Sequence, residues 1–289
     1  MSALTSTRRT AEPPEDFVRR CGRVVERFDH RTQDSGNISW TVQTDHGRFF
    51  VKTAGTPGPA PAGVPVPHLD HAGRVGLLRN AVQLARSCDH PSLARLRNVV
   101  ETPLGPALVY DHAPGELVGT TADRRADPRS AHHRFAHLPA DQQLRHFDSI
   151  VEVHHQLAAV GWVASDLYDG SLVVDLTSGR LTLVDPDSYQ RGAGVNTMGR
   201  MFGSTRFTAP EEHLLGAPVD QRTTVHTLGR LMWYFGTRLT GRTERFCGSG
   251  AARAVVQQAV RPERADRFAT VGDFASAWRR ARAWVPPPD

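Results

Sequence analysis

Two aspartates and one lysine are the residues of this chain whose types and spacing could do chemistry. Asp166 and Asp185 flank a predicted β-hairpin, with strands over Leu172–Asp175 and Leu181–Val184 and a Thr-Ser-Gly turn between them. A hairpin brings its two ends to one edge of the fold, so one carboxylate could act as base toward a hydroxyl while the other binds Mg²⁺. With a lysine on an upstream strand, the set suits phosphoryl transfer. The alternative is that both acids only cap turns, as Asp often does.

Lys52 is the only lysine among the 35 basic residues, and the other 34 are arginine. On an exposed surface either cation serves, so a chain this biased toward arginine could have replaced every lysine. The survival of one lysine indicates that a compact ammonium is needed at position 52, although chance survival is the other interpretation.

The elements that position Lys52 are predicted to be an antiparallel meander with one helix. Short runs of β-branched and aromatic residues separated by turn signals predict the strands, and apolar residues at helical spacing predict a helix over Leu69–Cys88. Residues 1–16 are predicted to be a flexible leader, and the proline-rich stretch Gly55–Pro67 a linker. The predicted strands are Val24–Phe28, Ile38–Gln43, Arg48–Lys52, Val99–Glu101 and Ala107–Tyr110.

The second half of the chain is predicted to be mainly helical, with no clear period over Gly119–Asp141. Together with the strands of the first half, this predicts an α+β protein. The predicted helices are Gln142–Ala159, Thr223–Leu239, Ala251–Val260 and Thr270–Ala283, and a PPP stretch ends the fold.

Composition excludes several classes of function. The net charge is +5, but the arginines are scattered and no recognition helix or aromatic-basic motif occurs, so we expect no nucleic-acid partner. No long apolar run or signal peptide is evident, so we expect a soluble, cytoplasmic protein without a membrane span. Three widely spaced cysteines indicate neither a disulfide framework nor a zinc cluster.

Several motifs occur in the order found in the protein kinase superfamily, and the chain resembles that family over nearly its whole length. Phe50-Val51-Lys52 resembles the strand that carries the phosphate-binding lysine. Asp166 and Asp185 fall on the catalytic-loop and metal-binding aspartates. The stretch GSTRFTAPEE (Gly203–Glu212) resembles the end of an activation segment. The motifs that complete the resemblance are DHPSLARL (Asp89–Leu96), ALVYDHAPGEL (Ala107–Leu117) and RADRFATVGDFASAW (Arg264–Trp278).

The resemblance implies a two-lobed fold: a small antiparallel-sheet N-lobe with one helix over residues 17–110, a hinge over 111–117 and a larger, mainly helical C-lobe over 118–289. ATP and Mg²⁺ are the implied cofactors. Arg267 is expected to pair with Glu211, and Gly203–Phe207 to face the acceptor. Asp166 and Lys52 are the implied catalytic residues, and Lys52, Ser35, Gly36, Asn37, Asp111 and Ala113 the implied nucleotide-binding residues. The implied metal ligands are Asp185, Ser171 and Asp187.

The chain also departs from the kinase pattern. The predicted helix Leu69–Cys88 has Asn80 or Ala81 where the lysine's glutamate partner would stand. Ser165 replaces the arginine that reads activation-loop phosphorylation, so phosphorylation-gated activation is not expected. The remaining replacements are Tyr168 for the lysine that contacts the transferred phosphate, Ser171 for a metal-binding asparagine, Asp185-Pro186-Asp187 for Asp-Phe-Gly, and Thr224 for an aspartate that braces the catalytic loop.

Three functions follow from this mixture. The first is a bacterial-type Ser/Thr protein kinase, supported by Ala209-Pro210-Glu211. The second is an O-phosphotransferase acting on a small hydroxylated molecule, because Ser35-Gly36-Asn37 is similar to the loop of aminoglycoside and choline kinases. The third is a pseudokinase that binds nucleotide or a partner protein. The acceptor would accordingly be a protein or a small-molecule hydroxyl.

Overall fold

The computed structural model describes residues 2–58 and 66–283 of the chain. The chain divides into two compact units. The first comprises Met1–Asp89 and Ala94–Ala113, and the second comprises His90–Leu93 and Pro114–Asp289. The described residues form an α+β protein, as the sequence predicts.

The first unit is built on a five-stranded antiparallel sheet. Its spatial order is β1-β2-β3-β5-β4, so the last two strands along the chain exchange places. Each strand begins and ends within a few residues of the predicted boundaries, and the first three strands form the predicted meander. The strands are β1 (Arg23–Phe28), β2 (Ile38–Thr44), β3 (Gly47–Thr53), β4 (Leu96–Thr102) and β5 (Gly105–Asp111).

The two faces of this sheet are covered by different helices. Helices α1 (Ala3–Ser6) and α2 (Pro14–Cys21) lie on one face, where Leu4 and Phe17 are fully buried. Helix α3 (His71–Ser87) covers the opposite face and begins at Asp70, whose side chain accepts a hydrogen bond from the Gly73 N–H. The predicted helix is therefore confirmed as α3, but the prediction of only one helix in this region is wrong, because α1 and α2 also lie in it.

The prediction of a flexible leader over residues 1–16 is wrong. The backbone of Arg8 and Thr10 pairs with Glu101 on the edge strand β4, at 2.9 and 3.0 Å. Asn98 of the same strand donates to the Leu4 and Thr7 carbonyls at 2.9 and 2.7 Å. An edge strand leaves backbone groups unpaired, and this segment satisfies them while burying one leucine. The predicted linker Gly55–Pro67 lies partly outside the described residues.

The second unit is mainly helical, with several short strand pairs. Helix α4 was not predicted, because its six residues are too few to show a helical period. The other helices agree with the predicted ones to within about three residues. The helices are α4 (Ala131–Ala136), α5 (Ala140–Ala159), α6 (Gln221–Gly236), α7 (Gly250–Ala259) and α8 (Val271–Ala283).

The strands of the second unit are short. Strands β6, β8 and β9 form one small antiparallel sheet, β7 pairs with β10, and β11 pairs with β12. The strands are β6 (Glu116–Leu117), β7 (Trp162–Val163), β8 (Leu172–Asp175), β9 (Arg180–Leu183), β10 (Gln190–Arg191), β11 (Gly194–Val195) and β12 (Pro218–Val219).

The core of the second unit forms where α5, α6, α7 and α8 pack together. The rings of Phe147 on α5 and Trp278 on α8 meet edge to face with centroids 6.4 Å apart, and Phe235 of α6 is fully buried. Within the described part of the chain, no helix is long and apolar enough to cross a membrane.

Candidate active site

The loop that carries Asp166, residues 164–171, is fixed at both ends by hydrogen bonds. The Ala164 N–H donates to Thr224 Oγ1 on α6 at 2.9 Å, and the Ser171 hydroxyl donates to the Asp166 carbonyl at 3.2 Å. The loop, called the Asp166 loop below, is thus held by Thr224 of α6 and by its own serine.

Asp166 and Asp185 both adopt left-handed backbone, each with φ of 59°. Among the described residues, only two other non-glycine residues have positive φ, Arg238 and Leu239. This conformation crowds the Cβ atom, costs about 1–3 kcal/mol, and persists only where the surroundings impose it. Asp166 and Asp185, the two acids that the sequence analysis selected, are therefore two of the four described non-glycine residues with strained backbone.

The hairpin between these acids brings Asp185 close to the end of the Asp166 loop. Strands β8 and β9 pair Leu172 with Leu183, and the Val184 N–H donates to the Ser171 carbonyl at 2.9 Å. Asp185 therefore follows directly after the last pairing with the loop. Asp185 is exposed, whereas Asp187, in the 3₁₀ turn that follows, is only 4% exposed.

The donor set around Asp185 is compatible with Mg²⁺. Mg²⁺ prefers oxygen ligands and keeps several waters, so one or two carboxylates are enough. Ser171 Oγ donates to one carbonyl and accepts from the Tyr168 N–H at 3.4 Å, which leaves one lone pair for a metal. No group of three or more His, Cys, Asp or Glu side chains able to hold a metal occurs among residues 2–58 and 66–283. Asp185, Asp187 and Ser171 would have to be completed by water or phosphate oxygens.

Asp169 lies three residues after Asp166, and its carboxylate is already bound by other side chains of the protein. Its carboxylate is 1% exposed and accepts both terminal N–H groups of Arg206 at 2.9 Å each. His132 Nδ1 lies 3.1 Å from the same carboxylate. Burial raises the pKa of Asp169, but the hydrogen bonds from His132 and Arg206 outweigh it and hold that pKa below its usual value. The structure therefore assigns Asp169 to an internal ion pair.

A buried tyrosine and histidine lie near both candidate acids. The Tyr189 hydroxyl lies 2.7 Å from His154 Nε2, and His154 Nδ1 lies 2.7 Å from the Ile150 carbonyl. Burial lowers the pKa of His154 to about 4, so the ring is neutral. It donates a hydrogen bond from Nδ1 to the Ile150 carbonyl and accepts one at Nε2 from the Tyr189 hydroxyl. Burial, followed by the charges of Asp166 and Asp185, raises the pKa of Tyr189 well above its usual value. A neutral pair thus borders the two carboxylates.

The predicted acceptor-facing stretch passes beside Asp166. A Cβ atom added at Gly203 would lie 3.6 Å from Asp166 Oδ1 and 3.0 Å from Thr208 Cγ2, and Gly203 has φ of +120°. Only glycine adopts this backbone without strain. The chain therefore approaches the Asp166 carboxylate at a position that excludes other side chains. We call residues 203–208 the Gly203 segment.

Glu211 and Arg267 form the ion pair that the resemblance implies, which confirms that prediction. Arg267 donates to Glu211 Oε1 at 2.7 Å and to Oε2 at 3.1 Å. Arg264, which the sequence reasoning missed, adds a third charged hydrogen bond at 2.7 Å. The neighbouring Glu212 is nearly fully buried, and burial raises its pKa to about 8. The chain just after the Gly203 segment is thus attached, through Glu211, to Arg264 and Arg267.

Lys52 belongs to the first unit and is the next-to-last residue of β3. It is 7% exposed and lies between Ser39 of β2 and Leu108 of β5 in the sheet register. Alternation along the strand places it on the α3 side, since Val51 belongs to the opposite core. Helix α3 contains no acidic residue, as the sequence shows, so an ion pair of Lys52 with this helix cannot form.

The Ser35-Gly36-Asn37 loop connects β1 and β2 and is folded tightly on itself. The Asn37 N–H donates to Ser35 Oγ at 3.2 Å, and Gln33 Nε2 donates to the Asn37 carbonyl at 2.8 Å. A Cβ atom added at Gly55 would lie only 2.2 Å from the Gly36 carbonyl oxygen. The loop therefore rests directly against the chain that leaves β3.

Asp111 and Ala113 lie at the end of the first unit. Asp111 is the last residue of β5, its N–H donates to the Arg95 carbonyl at 3.0 Å, and its carboxylate accepts from Arg97 Nε at 2.6 Å. The Asp111 carboxylate is therefore paired with Arg97 on the sheet surface. Ala113 is the final residue of the unit.

No family model and no curated protein matches this chain. Arg206, His132, Tyr189 and His154 were missed by sequence reasoning, because each acquires its role through a partner distant along the chain. The two sets of candidate residues divide between the units: Lys52, Ser35, Gly36, Asn37, Asp111 and Ala113 belong to the first, and Asp166, Ser171, Asp185 and Asp187 to the second.

Proposed function

We propose that this chain is an ATP-dependent phosphotransferase with a protein-kinase-like fold, and that it acts as a cytoplasmic Ser/Thr protein kinase. The observation that carries the proposal is the pair of strained aspartates at the two ends of one hairpin, with Gly203 beside Asp166. Strained backbone concentrates at functional sites, where the surrounding structure imposes it. A base and a metal-binding carboxylate in one hairpin are the groups that phosphoryl transfer requires.

In this proposal Asp166 orients the acceptor hydroxyl and takes its proton as the hydroxyl oxygen bonds to the γ-phosphorus of ATP. The bond from the γ-phosphorus to the bridging oxygen breaks, and ADP leaves. Lys52 would bind phosphate oxygens, for which a compact ammonium with three donors is suited. Asp185, Asp187 and Ser171 would hold Mg²⁺, which neutralises phosphate charge when bound.

A protein acceptor is supported by the attachment of the Gly203 segment. Glu211 follows this segment and is held by Arg267 and Arg264 within the second unit. A carboxylate that is 3% exposed and paired with two arginines restricts the backbone on either side of it. The segment itself is folded as a turn, in which the Phe207 N–H donates to the Ser204 carbonyl at 2.8 Å. A rigid turn next to the base would give an acceptor polypeptide a surface on which to lie.

A small-molecule acceptor is the second candidate, and Tyr168 favours it. This tyrosine stands where the kinase pattern has a lysine, and its ring lies directly over Gly170, where an added Cβ atom would be 2.3 Å from Tyr168 Cε2. An aromatic ring two residues from Asp166 offers an apolar surface in place of a cation. Such a surface suits a hydroxylated molecule that itself carries a ring.

The test is the intact mass of the purified protein before and after incubation with Mg²⁺ and ATP, together with transfer of labelled γ-phosphate to a mixed protein acceptor. The negative control is Lys52→Arg, and the matched control is Arg48→Lys, an exposed exchange on the same strand. The protein-kinase proposal expects a phosphate increment or labelled acceptor with the wild type and Arg48→Lys, and neither with Lys52→Arg.

Two negative results separate the alternatives. If ATP binds in the presence of Mg²⁺ and ADP is released only when small hydroxylated molecules are added, the acceptor is a small molecule. If Mg²⁺ and ATP bind but no acceptor of either class releases ADP, the chain is a nucleotide-binding pseudokinase. Failure of calorimetry to detect ATP with or without Mg²⁺ would contradict the phosphotransferase proposal altogether.

A further inference from the structure

Asp169 is the centre of a buried network that the kinase resemblance does not explain. Both of its oxygens accept from Arg206, and Oδ2 also lies 3.1 Å from His132 Nδ1. His132 is fully buried, and its Nε2 lies 3.2 Å from the Tyr234 hydroxyl on α6. A carboxylate that is 1% exposed would be costly without such partners. The network therefore connects the Asp166 loop with α4 and α6.

Arg206 connects this network to the Gly203 segment. Its Nε donates to Ser204 Oγ at 3.1 Å, and its guanidinium lies 4.7 and 5.4 Å from the ring centroids of Phe207 and Tyr234. The guanidinium fork is planar, so a two-point bond to a carboxylate fixes orientation as well as distance. Arg206 and Asp169 together thus define how the Gly203 segment lies on the Asp166 loop.

The position of this pair matters because of what lies beside it. Asp169 is three residues after Asp166, and Arg206 is three residues after Gly203, the glycine whose added Cβ would meet the Asp166 carboxylate. The ion pair and the Gly203 approach are therefore two contacts between the same two stretches of chain. Ser165, by contrast, stands where the kinase pattern has an arginine that would bind a phosphoryl group.

We propose that Arg206 is a positioning residue that holds the Gly203 segment on the Asp166 loop through Asp169, so that the acceptor side of the site assembles without phosphorylation. The proposal rests on the proposed function for its catalytic consequence. In this proposal the Asp169 carboxylate binds the arginine and orders the segment, as a phosphoryl group on the segment would otherwise do.

The first test compares Arg206→Lys with Arg282→Lys. Arg282 is the matched control, because its side chain is 29% exposed against 20% for Arg206, and its guanidinium also binds both oxygens of one carboxylate, that of Asp148 in the same unit. Lysine keeps the charge but lacks the fork. We expect Arg206→Lys to lower kcat about 100-fold with little change in the KM for ATP, since small displacements of reacting groups cost about that much. Arg282→Lys should keep kcat within about twofold.

The second test needs no activity. Hydrogen exchange of the amides of residues 203–208 should be faster in Arg206→Lys and in Asp169→Asn than in the wild type, and unchanged in Arg282→Lys. Equal exchange in Arg206→Lys and the wild type would overturn the positioning role, even if phosphoryl transfer is observed. If exchange is faster in Arg206→Lys than in the wild type, but the wild type transfers no phosphate, the positioning role stands and the proposed function is refuted.

The third test concerns phosphorylation itself. Wild-type protein treated with phosphatase, and shown by intact mass to carry no phosphate, should transfer phosphate at its full initial rate. A lag that shortens as residues of the Gly203 segment become phosphorylated would overturn the proposal.

Discussion

Replacing Glu211 by glutamine should strongly destabilise the second unit. The Glu211 carboxylate accepts two hydrogen bonds from Arg267, one from Arg264 at 2.7 Å and one from the Thr223 hydroxyl at 2.8 Å. The Arg267 side chain is fully buried, so Glu211→Gln leaves that cation without its counter-charge. Breaking a buried pair in this way costs about 3–5 kcal/mol.

Urea unfolding monitored by circular dichroism measures this loss. We expect the unfolding midpoint to fall with an unchanged dependence on urea, because the surface exposed on unfolding stays the same. For a unit of this size, about 2–4 °C per kcal/mol predicts a lower melting temperature by about 6–20 °C. Glu152→Gln is the matched control, because its pair with Arg279 is exposed on both sides and should change the midpoint far less.

The pH dependence provides a second check. Burial raises the pKa of Glu211, but hydrogen bonds from Arg267 and Thr223 and the Arg267 charge leave that pKa below its usual value. A lowered folded-state pKa contributes stability above the usual carboxyl pKa, and the contribution is lost as pH falls through the folded value. The wild type and Glu211→Gln should therefore converge in acid. Equal losses in Glu211→Gln and Glu152→Gln, or a difference independent of pH, would refute the reasoning.

Three further predictions concern other parts of the chain. Lys52→Arg should abolish most phosphate transfer while the protein still folds, because a longer planar cation cannot take the place of a compact ammonium at phosphate oxygens; full transfer activity would contradict the role of Lys52. Asp185→Asn should remove the Mg²⁺ dependence of ATP binding measured by calorimetry, and an unchanged dependence would count against a metal at Asp185. The free energy of unfolding should decrease as pH falls from about 6.5 to about 4. The reason is that His146, His154 and His226 are neutral and buried in the folded protein, whereas the unfolded chain binds protons at these residues over that range. Constant stability over that range would exclude this linkage.

The sequence was most informative where structure depends on neighbours along the chain. Short runs of β-branched and aromatic residues predicted the five strands of the first sheet, and helical spacing predicted α3, α5, α6, α7 and α8. The hairpin that carries Asp166 and Asp185 was predicted from its two short strands and its turn. These patterns are local, because a strand has a period of two and a helix of 3.6 residues.

Sequence reasoning failed where a few side chains meet a distant surface. The segment before α2 looked polar and flexible, yet Asn98, 94 residues from Leu4, binds its backbone. The composition of that segment does not predict that its backbone pairs with an edge strand.

The sequence by itself determined that one ammonium survives among arginines, that no acid is available on α3, and that two aspartates flank a hairpin. These are properties of residue identity and order. Only the tertiary structure decided that both aspartates take left-handed backbone and that Asp169 is bound by Arg206, 37 residues away. The physical reason is that backbone strain and the pairing of buried charges are imposed by packing, and packing joins residues that the local pattern keeps apart.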